Sequence, residues 1–186
     1  KYPWTRYAFW RQELKRLKQT TLESYFKFLS DYEIPEQQKG VYNWQDSVIK
    51  FANGSQILLL DLAYLPSDPL YTRLGSLELT GAFVDEAAEV DDKCITILST
   101  RVWRQLNKKF NLPPKILLTF NPDKGHVYRN YYLPYKNGTL PEYRAFVPAL
   151  ATDNEFIPDT YIEQLERSDE VTKQRLLYWN FEYDDT

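Results

Sequence analysis

The chain has 186 residues, 43% hydrophobic and 16% aromatic, with 23 Lys+Arg against 26 Asp+Glu for a formal charge of −3. That length suits one domain with a substantial core, and the near balance of charge argues against a dedicated nucleic-acid coat while leaving local basic patches open. A single cysteine, Cys94, and a single histidine, His126, exclude an intrachain disulfide and a Cys/His zinc site; no apolar run approaches a membrane span and no secretory pattern opens the chain, so a cytoplasmic protein is the expectation.

In chain order, Tyr7-Ala-Phe-Trp reads as a short strand, followed by the basic run Arg11 to Lys18. Leu22, Tyr25, Phe26 and Leu29 then keep a helical spacing, with Thr20 or Thr21 as the expected N-cap and Ile34-Pro35 as the stop. Residues 47–64 read as a hairpin, because Asn53-Gly54 sits between two apolar runs and both residues tolerate positive φ. Leu77–Val84 is a strand, and a helix is expected over 92–109. Lys115-Ile-Leu-Leu-Thr-Phe is a second buried strand, ending in Asn121-Pro122. A helix is expected from about Gly125 to Tyr132, a third strand over Tyr143–Ala149, a helix opened by Pro158, another from Glu170 to Trp179, and an acidic tail over 182–186. Strands alternating with helices give an α/β fold with a mostly parallel sheet flanked by helices and a β-hairpin insert.

Residues 79–90, Leu-Thr-Gly-Ala-Phe-Val-Asp-Glu-Ala-Ala-Glu-Val, carry the chemistry. An apolar strand ends abruptly in Asp85-Glu86. Two carboxylates at such a tip suit a magnesium-nucleotide hydrolase: the Asp holds a Mg²⁺ water shell and the Glu orients an attacking water. The bland reading is an acidic helix start favoured by the helix dipole. In parallel sheets chemistry gathers at the C-terminal strand ends, which places Asp85-Glu86 and Thr119–Asn121 on one edge. No G-x-x-x-x-G-K-[ST] arrangement occurs in these residues.

The ordered set is a basic Arg-Gln-Glu-Leu-Lys-Arg-Leu-Lys-Gln-Thr-Thr segment, an Asn-Gly-Ser hairpin and the Asp85-Glu86 strand. A helix with Ser-Thr-Arg, Leu-Leu-Thr-Phe-Asn-Pro and a Leu-Leu-Tyr-Trp-Asn-Phe-Glu-Tyr close complete it. It resembles the ATPase domain of bacteriophage large terminase subunits, over nearly the whole chain. The resemblance implies an additional-strand P-loop (RecA-like) core. It makes Asp85-Glu86 the Walker B pair, with Asp85 on Mg²⁺ and Glu86 activating water. It also makes Thr119-Phe120-Asn121-Pro122 a coupling motif in which Thr119 and Asn121 face the nucleotide, and Arg73 an arginine finger toward a neighbouring subunit's ATP. The implied partners are double-stranded DNA, ATP, a portal protein and the small terminase subunit, around a homo-oligomeric ring in the host bacterium's cytoplasm. The implied activity is DNA translocation during viral genome packaging. The family's Walker A loop and nuclease domain are expected beyond the two ends, so residues 1–181 correspond to part of the ATPase domain and 182–186 to the start of a linker. Without the Walker A loop, ATP affinity and turnover of the chain alone are expected to be weak.

Arg11, Lys15, Arg16 and Lys18 are candidates for DNA phosphate contact, or Arg11 for nucleotide contact; a solvated basic face is the alternative. Arg101 and Arg104 are further finger or DNA candidates. His126, Asp91-Asp92 and Asp184-Asp185 are read as structural, and Tyr128, Tyr131, Tyr132 and Tyr135 as core or interface. Two other functions stay open: a non-catalytic α/β assembly module, which the missing P-loop suits, and a metal-dependent nuclease built on Asp85, Glu86 and Glu89.

Overall fold

A computed structural model describes residues 2–183 and divides after Thr119 into two compact units. Asp184-Asp185 of the expected acidic tail lie outside the described residues.

The first unit is built on one six-stranded sheet: β1 (Arg6–Arg11), β2 (Val41–Asn43), β3 (Val48–Lys50), β4 (Gln56–Asp61), β5 (Gly81–Val84) and β6 (Lys115–Leu118), in the order β2-β3-β4-β1-β5-β6. β4, β1, β5 and β6 run parallel, whereas β2 and β3 are antiparallel additions at one edge. The hairpin forms at the expected dipeptide: Lys50 pairs with Gln56 across a turn in which Gly54 takes a φ of 81°. β2, with only three residues and little apolar pattern, gave no sequence signal of its own.

Helix α1 (Leu14–Leu17), a π-helical turn (Lys18–Leu22) and α2 (Glu23–Asp31) follow β1 without interruption. This corrects the expected start at Thr20-Thr21. Neither threonine caps a helix; the helix begins at Leu14, because the apolar positions Leu14, Leu17 and Leu22 already face the sheet. Leu17 and Leu22 are fully enclosed with Ile49 and Leu59, and Phe9, Tyr25, Phe26 and Tyr42 pack around them. Phe9 belongs to that face, so by strand alternation Ala8 and Trp10, both fully buried, point to the opposite one.

Helix α3 (Asp92–Ser99) buries Cys94, Ile95 and Leu98, and the Asp91 side chain caps it by accepting from the Lys93 backbone N–H at 2.9 Å. The helix expected over 92–109 is broken. Residues 100–106 are irregular, with Trp103 at φ 94° and Leu106 at φ 62°, and only Asn107–Phe110 (α4) resumes it. The break has a visible cause. Leu79 O accepts from the backbone N–H groups of Trp103, Arg104 and Gln105 at 2.9, 3.1 and 3.3 Å, so the sheet takes donors that a helix would need.

The second unit holds a helical stretch that includes a π-helical turn (Tyr128–Tyr132) and α5 (Leu133–Lys136), then α6 (Asp159–Glu166) and α7 (Glu170–Thr172), which runs into a π-helical turn (Lys173–Leu177). Tyr143–Ala149 forms no strand: Tyr143 lies in a turn, the rest is irregular, and no described strand pairs with it. Alternating apolar residues supply the face of a strand, not its partner. Rings fill this unit's core. Phe181 is buried and stacks on Tyr132 at 4.3 Å, and Trp179, Phe146, Tyr128 and Phe120 surround it. The tyrosines of 128–132 and Tyr135 are packing residues, as expected. Glu182, the first residue of the acidic tail, accepts from Tyr128 Oη and Lys136 Nζ.

Leu59→Ala should leave a cavity beneath α1 and α2. We expect a loss of about 2–5 kcal/mol of unfolding free energy in urea titrations, with an unchanged circular dichroism spectrum. A loss under about 0.5 kcal/mol would show that the helix does not depend on this contact.

Candidate functional site

Register aligns the strand tips. Arg11 pairs with Asp61, Trp10 with Val84, and Val84 with Leu118, so Arg11, Asp61, Asp85 and Thr119 all lie at the C-terminal edge of the parallel strands. The ladder continues one step past β5. Asp85 N donates to Trp10 O at 2.8 Å, Thr119 N to Val84 O at 3.0 Å and Ala87 N to Thr119 O at 2.8 Å. These bonds fix the backbone on both sides of Asp85-Glu86.

Both oxygens of the Asp85 carboxylate are engaged. Thr21 Oγ1 donates to Oδ2 at 2.6 Å and Thr119 Oγ1 to Oδ1 at 2.9 Å. Arg11 Nη1 lies 3.5 Å from Oδ2 and also donates to Thr20 Oγ1 at 2.9 Å. Arg11 Nε is buried without a hydrogen-bond partner, 3.8 Å from Glu89, whose other oxygen is 3.6 Å from Arg16 Nη1. The π-helical turn is where Thr20 and Thr21 meet these groups. Thr20 Oγ1 donates back to Arg16 O, while Thr21 reaches the strand tip. Wide turns of this kind often mark functional positions in helices.

Glu86 takes a left-handed backbone, φ 50° and ψ 52°, without being glycine. That conformation costs on the order of 1 kcal/mol and persists only where neighbouring bonds enforce it, here the flanking Asp85 and Ala87 N–H bonds. It ends the extended course of the strand directly after Asp85, ahead of the short 3-10 turn at Ala87–Glu89.

The predicted residues separate into groups. Asp85, Arg11 and Thr119 are brought together, with Glu86 next in the chain. Lys15 is exposed and Lys18 half-buried on the following helix. Asn121 belongs to the second unit and is exposed. Arg73 bonds within the chain: it donates to Ala63 O, lies 3.1 Å from Asp68 and 3.8 Å from Asp61, and stands over the buried Tyr71 ring at 5.2 Å. Asp68 also accepts from the Thr72 hydroxyl and from the backbone N–H groups of Thr72 and Arg73. These donors, the Thr72 hydroxyl first, hold its carboxyl at about 2. Cys94 is buried and its thiol is pushed up to about 11 by desolvation, which removes it as a nucleophile. His126 is buried in the second unit. Thr20 and Thr21 are the contributors that sequence reasoning missed. Their one signal was a Thr-Thr pair in the turn after a strand, and it was read as a cap.

No protein-family model and no curated protein matches the sequence. Solved structures do match. The fold is shared with large terminases. The large terminase of a thermophilic bacteriophage superposes with a TM-score of 0.70 at 14% identity, over 95% of this chain and 40% of that one. The same protein in complex with ADP gives 0.70 at 16% identity, over 97% and 41%. Its complex with ATP-γ-S gives 0.66 at 15% identity, over 97% and 40%. This chain therefore spans about two fifths of the length of those structures. No helix among the described residues is long and apolar enough to cross a membrane.

Thr21→Val keeps the shape of the side chain and removes the donor to Asp85. We expect a loss of about 1.5–3 kcal/mol in urea unfolding, as for a hydrogen bond to a charged group, with most of it restored in Thr21→Ser. Equal stability of the two variants would mean that the hydroxyl does not hold the carboxylate.

Proposed function

We propose that the chain is part of an ATP-hydrolysing motor that moves viral DNA into a prohead. The observation that carries this reading is the Asp85 carboxylate, held at the tip of a central parallel strand by hydroxyls from the helix after β1 and from the neighbouring strand. It sits in a fold shared with large terminases, one of which has been solved with ADP and with ATP-γ-S. Low identity limits that likeness to the fold, so residue roles rest on chemistry.

In the proposed arrangement Asp85 holds Mg²⁺. The oxygen ligands on offer are one carboxylate and two threonine hydroxyls, which suits an ion that keeps most of its water and takes one or two carboxylates plus phosphate oxygens, and Arg11, 3.5 Å from Asp85 Oδ2, would have to draw back from the bound ion. Bound there, the ion supplies charge neutralisation for the phosphates. Glu86 orients the attacking water. Thr119 senses occupancy, because a change at Asp85 breaks or makes its hydroxyl bond, and Asn121 follows two residues on in the coupling motif. A Gly-rich phosphate cradle, which these residues do not contain, is needed for tight nucleotide binding. The double-stranded DNA, portal, small-subunit and ring partners belong to this same reading.

Two alternatives are weaker. A nuclease needs a further carboxylate, yet Glu89 faces Arg11 and Arg16, and no group of three or more potential ligands occurs among the described residues. A purely structural module gives no role to a carboxylate held at a central strand tip by hydroxyls from two other elements.

In the complete gene product, Glu86→Gln should lower DNA-stimulated hydrolysis at least about a hundredfold, with Mg-ATP-γ-S affinity preserved in calorimetry. Turnover within a few-fold of the parent would sink the assignment.

Arg73 can serve as a finger only by leaving Asp68, Asp61 and Ala63. A finger is worth about 10³–10⁵ in turnover. We expect Arg73→Ala in the assembled enzyme to lower the melting temperature and to keep turnover per folded molecule within about tenfold. A loss of a thousandfold would instead establish the finger.

A further inference from the structure

The opposite edge of the sheet carries a second surface. Trp4 precedes β1 and Trp103 lies in the irregular segment before α4; they are 66% and 57% exposed. Gln105 ties their segments together, since its Nε2 donates to Trp4 O at 2.9 Å. Thr80 bonds both to Gln105 O at 2.7 Å and to the Arg6 N–H at 3.0 Å, anchoring the loop to the starts of β5 and β1. This is the N-terminal edge of the parallel strands, so the surface and Asp85 lie at opposite ends of them.

The Trp4 ring is packed against the hairpin and the Trp103 backbone is held. Trp4 has a φ of 63° and lies against Gly54, where any Cβ would run into its ring. Trp103 has a φ of 94°, and its N–H is fixed to Leu79 O. Left-handed backbone at two bulky aromatic residues, both left in solvent, is a cost that the core does not require. Exposed rings of this size suit a partner with flat faces of its own.

The charge around them is one-sided. The protein is net negative, yet residues 93–122 contain Lys93, Arg101, Arg104, Lys108, Lys109 and Lys115 and no Asp or Glu, and residues 1–12 contain no acid either. The Arg104 guanidinium lies 5.6 Å from the Trp103 ring and is oriented by the Thr100 carbonyl at 2.9 Å. Lys108 and Lys109 are exposed on α4, and Lys115 at the start of β6. Glu78 is the one carboxylate on the adjoining segment 76–81.

We propose that Trp4, Trp103 and Arg104, with Lys108 and Lys109, bind single-stranded nucleic acid. Phosphates meet the lysines and Arg104, and unstacked bases lie on the indoles. A duplex offers the phosphates but keeps its bases stacked internally, so the exposed rings select single strands. DNA and RNA share this chemistry. The surface is independent of Asp85, so its failure would leave the motor reading untouched.

The test uses the 186-residue chain. It is titrated by tryptophan fluorescence and by anisotropy of labelled oligothymidylate, oligouridylate, a mixed-sequence duplex of equal length, and heparin. Indole quenching is expected with the single strands, together with affinity that falls as salt rises. The tighter of the two identifies the sugar preferred, and equal affinity supports the shared chemistry. Trp103→Ala and Arg104→Glu should each weaken binding about tenfold with unchanged circular dichroism. Arg104→Glu keeps the test decisive if Trp103→Ala misfolds. Absence of quenching, unchanged affinity in Arg104→Glu, or equal or tighter binding of the duplex or heparin would each overturn the proposal.

Discussion

A carboxylate at the end of a buried strand must be compensated, and the way Asp85 is compensated organises the first unit. An unpaired charge in that position is expensive, whereas here two hydroxyl donors engage the carboxylate and a guanidinium lies beside it. Each partner comes from a different element: Thr21 from the π-helical turn after β1, Thr119 from the end of β6 and Arg11 from the end of β1. The acid therefore fastens the helix to the sheet and the central strand to its edge neighbour. Packing beneath the helix, through Leu17, Leu22, Ile49 and Leu59, brings the threonines close enough to do so.

The same arrangement gives the edge two kinds of group. Asp85, Thr21 and Thr119 are ordered by mutual hydrogen bonds. Glu86 is ordered by backbone conformation, since its left-handed φ is imposed by the bonds of Asp85 N and Ala87 N. Ordering before any ligand arrives is what electrostatic stabilisation of phosphoryl transfer requires, because little covalent work is left to the protein. Arg11, with its buried and unpartnered Nε between Asp85 and Glu89, is the least satisfied member of the group and so the one most easily redirected by an incoming anion.

Left-handed backbone occurs at both ends of the parallel strands, among other places: at Glu86 on the C-terminal edge, and at Trp4, Trp103 and Leu106 on the N-terminal edge. The two edges differ in charge. One presents paired acids and arginines, and the other presents cations with exposed indoles. A single sheet thus separates two chemistries along the length of four strands.

Much of this was legible in the residues. The apolar strand ending in Asp85-Glu86, the hairpin at Asn53-Gly54, the strand at Lys115 and the helices after Pro158 and Glu170 follow from hydrophobic period and turn chemistry, which are local properties; the first of these strands is shorter than expected, Gly81–Val84, and the strand at Lys115 is not buried but an edge strand with Leu117 62% exposed. The tyrosines of the second unit were recognisable as packing residues for the same reason. What sequence could not supply was set by contacts between distant segments. Thr20 and Thr21 look like caps until β5 and β6 bring Asp85 and Thr119 beside them. The helix over 92–109 has good local propensity but loses its donors to Leu79 O. Tyr143–Ala149 alternates like a strand but has nothing to pair with. The in-chain partners of Arg73, namely Asp68, Asp61 and Ala63 O, likewise come only from the fold. Periodicity states which face a residue occupies; only the fold states what stands opposite that face, and hydrogen bonds are decided there.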